Sequence, residues 1–164
     1  MGTFKADGLV EPDQELAICA EFPTDLTMLL HAAADRMRDE LDRAAVEMGL
    51  SDVRDWMVLA ALDDGRPRTQ LELSKVVCVD KTTLISVLDR LEGHELVVRT
   101  VDPSDRRVRI PQITPIGREV YAKFAVARDA AEAVALDGVD QADRDLLVEL
   151  LARIAQRQGA TATA

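Results

Sequence analysis

Apolar residues recur every three or four positions along most of the chain, the spacing of one face of an α-helix. The first such stretch predicts a helix that begins near Thr24 or Asp25. It ends at Gly49, because glycine readily adopts the left-handed conformation that closes a helix. Ser51 is placed to cap a second helix, which ends before the turn at residues 63–65.

The same periodicity returns after residue 113 and predicts two more amphipathic helices. Thr114 and Pro115 are a good cap and first residue for one, and Asp140 caps the other. Their apolar positions are Ile116, Val120, Phe124, Ala127, Ala131 and Val134 in one helix, and Leu146, Leu147, Leu150, Leu151 and Ile154 in the other.

Between these outer helices the sequence predicts a short helix, a tight turn and a longer helix. Thr69 and Glu72 have the spacing of a capping box, in which each side chain bonds the other residue's backbone amide. Asp80 is the next cap, so the helix that Thr69 opens is only about eight residues long. The longer helix covers residues 81–92 and buries Leu84, Val87, Leu88 and Leu91. This is the arrangement of a helix-turn-helix motif.

The period then changes from helical spacing to two. Residues 96–101 and 107–110 are rich in β-branched side chains and predict two paired strands. Residues 102–105 read Asp-Pro-Ser-Asp, which suits a type I turn between the strands. Pro111 has no amide to donate, and a strand tolerates it only where that amide would face away from the partner strand.

Composition agrees with a mainly α fold that carries one small β-hairpin. The chain has 164 residues, of which 48% are hydrophobic and only 3% aromatic. Ala, Leu and Val dominate, which favours helices over a sandwich or barrel. No apolar stretch approaches the roughly 18 residues of a membrane span, and no secretory signal is visible. The two cysteines form no disulfide framework, so we expect a cytoplasmic protein without a membrane partner.

Charge is distributed unevenly along the chain. The formal net charge is −10, which argues against nucleic acid as a partner. Residues 66–109, however, carry nine Lys and Arg against seven Asp and Glu. The central third of the chain therefore lacks the acidic excess of the rest.

The longer helix of the motif has the residues that DNA readout requires. Small polar side chains near a helix N-terminus let the backbone approach the major groove, and Thr82, Thr83 and Ser86 fit that need. Lys81 opposes the helix dipole at the first position, which a phosphate would compensate. Arg90 lies on or near the same open face. The plainer alternative is an ordinary solvated helix start.

The end of the predicted hairpin is positively charged. Arg106 and Arg107 follow the turn, with Arg109 two residues on, and an arginine on a ribbon tip can enter the electronegative minor groove. Asp105 is placed to accept from Arg107 and hold its guanidinium. The alternative here is a surface turn with a local ion pair.

Five segments together closely resemble the MarR family of winged-helix transcription regulators. They are residues 80–84, 88–92, 96–97, 102–107 and 113–118, and the similarity extends from about residue 24 to 156. The resemblance implies a homodimer in which the helix from Lys81 enters the major groove of double-stranded DNA. It further implies that Arg106 or Arg107 of the hairpin, called the wing in this family, probes the minor groove beside Asp105. Family members commonly repress genes and release DNA on binding small aromatic or phenolic compounds, or on cysteine oxidation.

The resemblance also implies a domain organisation. Residues 24–50 and 115–158 would form a helical dimerisation region, and 51–114 a winged helix-turn-helix lobe. We expect an irregular arm over 1–23 and a disordered tail over 159–164. One departure concerns the reading helix, which the family ends with a glycine where Glu95 stands here, while Gly93 comes earlier. We therefore expect a shifted or strained helix end.

Other candidate sites have weaker support. Cys19 is roughly where oxidation sensors of this family carry their reactive thiol, but Glu15 and Glu21 would raise its pKa. Cys78 is expected to be a small buried residue. His31 and Trp56 are candidates for an effector pocket, although Trp56 alone could be simple core. We expect no metal site and no cofactor, because no ligand-like cluster is present.

The sequence thus predicts a DNA-binding transcription regulator, and it leaves two alternatives. One is a winged-helix protein-interaction module that does not bind DNA, which the −10 charge favours. The other is a redox-sensing regulator acting through Cys19. No nucleophile–base grouping or phosphate loop supports an enzyme.

Overall fold

A computed structural model describes residues 21–22, 24–102 and 105–156 of the chain. Within these residues the fold is mainly helical with one β-hairpin, as predicted. The elements are α1 (Leu26–Glu47), α2 (Val53–Asp63), α3 (Gln70–Val76), α4 (Lys81–Gly93), β1 (Val97–Val101), β2 (Arg109–Ile113), α5 (Pro115–Ala135) and α6 (Gln141–Gln156). The expected arm, with Cys19, lies almost wholly outside the described residues, as do the expected tail and the middle of the predicted type I turn.

The predicted helix starts are confirmed where a local side chain defines them. Asp25 accepts from the first amides of α1, and Asp80 accepts from those of α4. Thr69 and Glu72 form the complete capping box that opens α3. Thr114 caps α5, with a proline in the first turn. These caps satisfy amides that would otherwise lack partners.

The predicted cap of α2 was wrong by one residue. Asp52, not Ser51, caps this helix with its side chain. The amide of Ser51 instead donates to Oδ2 of Asp55 at 2.8 Å, and the amide of Val53 donates to Oδ1 of Asp42 in α1 at 2.7 Å. A carboxylate accepts from several amides at once, which explains why the aspartates displace the serine here.

One hydrophobic core joins α1 to the helix-turn-helix, the hairpin and α5. Its fully buried members include Leu59, Leu73, Leu84, Leu88, Leu91 and Phe124. The four apolar residues predicted to face inward from α4 are all buried. Because that face is fixed in the core, the opposite face of α4 is held outward.

The second strand lies further along the chain than predicted. The sequence indicated residues 107–110, whereas β2 spans Arg109–Ile113 and pairs antiparallel with β1. The buried side chains of Ile110, Pro111 and Ile113 hold this segment against the core. Cross-strand bonds join Asp102 to Val108 and Thr114 to Leu96. Hydrogen-bonded and non-hydrogen-bonded residue pairs alternate along an antiparallel ladder. Counted from these two bonded pairs, Pro111 and its partner Arg99 form a non-hydrogen-bonded pair, so the missing amide of Pro111 costs β1 no hydrogen bond.

The junction between α4 and β1 is a Schellman turn. The amide of Leu96 donates to the carbonyl of Leu91 at 2.9 Å, and that of Glu95 donates to Glu92 at 3.0 Å. Glu95 has φ 60°, a left-handed conformation that glycine adopts far more readily. The expectation of strain at this departure from the family pattern is therefore confirmed, and it falls on Glu95 itself.

Cys78 was expected to be buried, and that expectation was wrong. Its free thiol is exposed in the turn between α3 and α4, where the residue has φ 54°. Val77 and Val79 on either side point into or against the core instead. With Val77 and Val79 occupying the core side of the turn, the Cys78 side chain lies on its outer side.

Much of the apolar surface of the last two helices is uncovered within one chain. Ile116 and Val134, predicted on the inner face of α5, are more than half exposed. None of the residues of α6, all of which are described, is buried. Its exposed apolar side chains are Leu146, Leu147, Val148, Leu150, Leu151 and Ile154. Such a wide apolar surface on a helix needs a covering partner.

We expect Gly117→Ala to destabilise the fold. An added Cβ would meet the backbone carbonyl of Leu96 and lie 2.9 Å from Cγ1 of Ile113. Overpacking of this kind lowers the free energy of unfolding by about 1–3 kcal/mol. Urea denaturation at fixed protein concentration, followed by circular dichroism, measures the change.

Gly93→Ala is the matched control, because nothing lies within 4 Å of a Cβ added there. A helical alanine should leave stability unchanged or raise it by about 0.5–1 kcal/mol. Equal stability of the Gly117→Ala variant and the parent chain would contradict the close approach.

Candidate nucleic-acid interface

The outward face of α4 carries a line of small or short side chains. Thr82, Ser86, Asp89 and Gly93 are three or four residues apart and exposed, so they form one stripe along the helix, here called the exposed stripe. Lys81 is exposed beside its N-terminal end. The exposed stripe lies on the side of α4 opposite the buried leucines. Because those leucines are packed in the core, the exposed stripe faces solvent.

Thr83 contributes to the helix start more than to the exposed face. Its hydroxyl donates to Oδ2 of Asp80 at 2.5 Å, while the backbone amide of Thr83 donates to Oδ1 at 3.0 Å. These bonds, with that from the Thr82 amide, hold the pKa of the Asp80 carboxyl below its usual value. Asp80 therefore stays ionised as a cap, and Thr83 is partly withdrawn from solvent.

Arg90 is turned toward the inside of the lobe. Its Nη2 donates to Oδ1 of Asp55 at 2.5 Å, and Oδ2 of Asp52 is 3.6 Å away. The Asp55 side chain is only 3% exposed, and its hydrogen bond raises the pKa of the Arg90 guanidinium. This corrects the sequence-based view of Arg90 as a residue of the open face. The ion pair between Arg90 and Asp55 fixes α4 against the start of α2.

The arginines that follow the turn point into solvent. Arg106 and Arg107 are exposed, and the Arg107 side chain is 94% exposed. Asp105 accepts from the Arg107 amide at 2.9 Å, and its Oδ1 lies 3.5 Å from Nε of the same residue. The predicted contact between Asp105 and Arg107 is therefore present.

Arg109 has a local role. Its Nη1 donates to the carbonyl of Arg106 at 2.8 Å, which folds the side chain back over the hairpin end. A guanidinium bonded in this way braces the turn that carries Arg106 and Arg107.

The hairpin is tied to α4 through Arg99, which sequence reasoning missed. Nη1 of Arg99 lies 2.7 Å from Oδ1 of Asp89, and Nε donates to Oε2 of Glu92 at 2.9 Å. Asp89 belongs to the exposed stripe, so this contact brings the hairpin alongside that stripe. The acidic pair on α4 and the arginine on β1 have no local spacing that would reveal the contact.

Trp56 lies in an aromatic cluster between α2 and α5. Its ring is 6.1 Å from that of Tyr121 and 5.4 Å from that of Phe124, and the Arg128 guanidinium is 5.3 Å from its centroid. The Trp56 Nε1 is buried and has no hydrogen-bond partner among the described residues. His31 is not part of this cluster. It is exposed on α1, 3.2 Å from Asp35.

The described residues contain neither a cluster of metal ligands nor a membrane-spanning helix. Within 21–22, 24–102 and 105–156, no three His, Cys, Asp or Glu side chains come together as a metal site would require. In the same part of the chain, no helix has both the length and the apolar content for a membrane crossing.

Comparison with known proteins gives consistent matches. A model of the MarR family matches residues 53–108. The HTH-type transcriptional repressor NicR of Pseudomonas putida is 30% identical over 127 residues, which cover 77% of this chain and 79% of NicR.

Solved structures match over most of the chain. The repressor CouR bound to a 23-mer DNA duplex has a TM-score of 0.74 and 29% identity, covering 84% of this chain and 96% of CouR. The same regulator, from Rhodococcus jostii RHA1, is also similar in its complex with p-coumaroyl-CoA. Bordetella bronchiseptica BpsR, whose DNA binding is regulated by 6-hydroxynicotinic acid, has a TM-score of 0.73 and 25% identity, covering 82% of this chain and 95% of BpsR. With its helix-turn-helix and wing, the chain belongs to the MarR family of transcriptional regulators.

Proposed function

We propose that this chain is a dimeric repressor that binds palindromic duplex DNA and is released from it by a small aromatic ligand. The observation that carries the proposal is the exposed stripe of α4 lying beside a wing that ends in two outward arginines. An α-helix fits the major groove, and arginines favour the narrow minor groove. The repressor function of NicR and the DNA complex of CouR support it.

Each part of the interface has a proposed role. Lys81 meets a phosphate at the start of α4, while Thr82 and Ser86 face the base edges. Arg106 and Arg107 enter the minor groove, and Asp105 and the backbone-bonded Arg109 hold the wing end in shape. Phosphate contacts supply most of the affinity, which makes binding sensitive to salt.

Pairing of two copies explains the uncovered helices. We assign residues 24–50 and 115–158 to dimerisation and 51–114 to the DNA-binding lobe. The exposed leucines of α6 are the main support, because a second copy would remove them from water. Two lobes related by a two-fold axis read a palindrome.

The aromatic cluster around Trp56 is the proposed effector site. It offers the partly exposed rings of Trp56 and Tyr121 for stacking, and the Arg128 guanidinium, which here bonds Asp129, would exchange that partner for a ligand carboxylate. The unpaired Nε1 of Trp56 is a donor that a ligand oxygen would satisfy. The aromatic ligands of BpsR and CouR support this ligand class.

The direct test is selection of genomic fragments by the purified protein, followed by sequencing. We expect recovery of a short inverted repeat whose affinity falls steeply as salt rises. Absence of any binding at moderate salt would favour the protein-interaction module, to which the −10 charge also points.

Arg107→Ala should weaken binding to the selected duplex by about 1–3 kcal/mol, because the variant loses a minor-groove contact. Gel-shift titration at constant salt measures the dissociation constant, and circular dichroism should show unchanged helicity. Arg36→Ala, at an exposed position of α1 outside the DNA-binding lobe, is the control and should leave affinity as it is. Equal affinities for the Arg107→Ala variant and the parent would show that the wing is not part of the DNA interface.

Leu147→Glu should dissociate the dimer. Each copy would lose a buried leucine worth about 1.5–3 kcal/mol, so the dimer dissociation constant should rise by at least roughly 100-fold. Sedimentation equilibrium measures this change. Glu149→Ala, on the opposite face of α6, is the control and should leave the dimer intact. An unchanged dimer in the Leu147→Glu variant would place the pairing surface elsewhere.

A small aromatic acid should bind at the aromatic cluster. The chain has a single tryptophan, so its fluorescence should change when 6-hydroxynicotinic acid is added. Arg128→Ala should weaken carboxylate binding about tenfold in calorimetry, whereas Arg128→Lys keeps the charge and part of the affinity. If 6-hydroxynicotinic acid releases DNA from the Arg128→Ala variant as well as it does from the parent protein, the effector site is not at this cluster.

A further inference from the structure

We propose that Arg99 is a positioning residue that fixes the wing against α4, so that the two DNA-reading elements approach the duplex at one set distance. The inference rests on the proposed function. It assigns Arg99 no contact with DNA, and its effect is carried by the residues at the wing end.

The contacts of Arg99 are directed at one helix. Its guanidinium bonds both Asp89 and Glu92, and its backbone amide donates to Oε1 of Glu92 at 3.2 Å. The Arg99 side chain is 21% exposed, against 94% for Arg107. Its donors are therefore committed within the lobe, and it is not displayed as the wing-end arginines are.

The position of Arg99 along β1 makes this contact decisive for the wing angle. Val97, Arg99 and Val101 share one face of the strand, since alternate residues point the same way. Val97 is buried at the root and Val101 is exposed, so Arg99 lies between the core and the projecting end. Removal of its side chain would leave the outer part of that face without a tie to α4.

The backbone at the root of the wing adds to the need for this tie. Glu95 holds its left-handed conformation without the freedom of a glycine. Such a residue persists when the surrounding structure holds it in place. The Arg99 contacts with α4 close the loop around this turn and so help to hold it.

Arg99 also balances charge on the DNA side of α4. Asp89 lies on the exposed stripe, and its carboxylate would repel a phosphate backbone. The bond from Arg99 keeps the pKa of the Glu92 carboxyl low, and the guanidinium lies against the side chains of both Glu92 and Asp89. A positioning role and a purely electrostatic role therefore predict opposite effects of Glu92→Gln on DNA affinity. Loss of a negative charge strengthens DNA binding, whereas loss of the wing tie weakens it.

The first experiment uses the 164-residue chain without DNA, so it does not depend on the proposed function. Hydrogen exchange of the β1 and β2 amides should be faster in Arg99→Ala and in Glu92→Gln than in the parent, while the α4 amides exchange as before. Arg99→Lys should show an intermediate effect, because it keeps the charge but not the forked geometry. Unchanged wing exchange in all three variants would overturn the proposal.

The second experiment is a double-mutant cycle on the selected duplex. Arg99→Ala alone should weaken binding about tenfold, but less than about twofold when Arg107 is already alanine, because the wing contact is then gone. A direct phosphate contact by Arg99 would give equal losses in both backgrounds and would overturn the proposal.

The direction in which Glu92→Gln changes DNA affinity separates the two roles. Glu95→Gln is the control, because it removes the same charge from a nearby position. Glu92→Gln should weaken binding by a few-fold while Glu95→Gln leaves it equal or tighter. Tighter binding by both variants would show that only charge matters, against the proposal. If the parent protein selects no duplex, the proposed function fails, while the exchange result still decides the role of Arg99 in the wing.

Discussion

The backbone carbonyl of Leu96 is the point on which the geometry of the DNA-binding lobe depends. It accepts from the amide of Thr114 at 3.0 Å and from the Thr114 hydroxyl at 3.2 Å, and Gly117 packs directly against it. The amide of the same residue closes the turn that ends α4. The backbone of this one residue thus joins the end of α4, the base of both hairpin strands and the start of α5. The wing leaves the core from a fixed base, and a small change there would move its far end.

Local chemistry explains how much of this fold could be predicted from the sequence. The caps at Asp25, Asp80 and Thr114 and the capping box at Thr69 act within three residues of the helices they start. Helical spacing identified the buried face of α4, and therefore also its open face. The same spacing on α6 identified an apolar surface correctly, but it could not say whether that surface is covered by the same chain or by another.

Contacts between distant segments account for what the sequence did not reveal. Asp55 and Arg90 are 35 residues apart, while Arg99 and Asp89 meet only because the turn after α4 folds β1 back along it, and no spacing rule predicts either pair. The shift of β2 has a similar origin, because burial of Ile113 against the core outweighs the local pattern that ended the strand at residue 110. The aromatic cluster around Trp56 arises from packing of α2 on α5, so the tryptophan alone gave an incomplete view of it.

The bare apolar surface of α6 has a genetic consequence. In the proposed dimer, α6 buries none of its residues within its own chain and is covered by another copy, so the subunits in a cell pair from a common pool. A mutant allele that spoils the wing but leaves α6 intact would enter pairs with normal subunits and disable them as well. Mutations in the lobe would then be dominant. Mutations that prevent α6 from pairing would be recessive, because those subunits never enter a dimer.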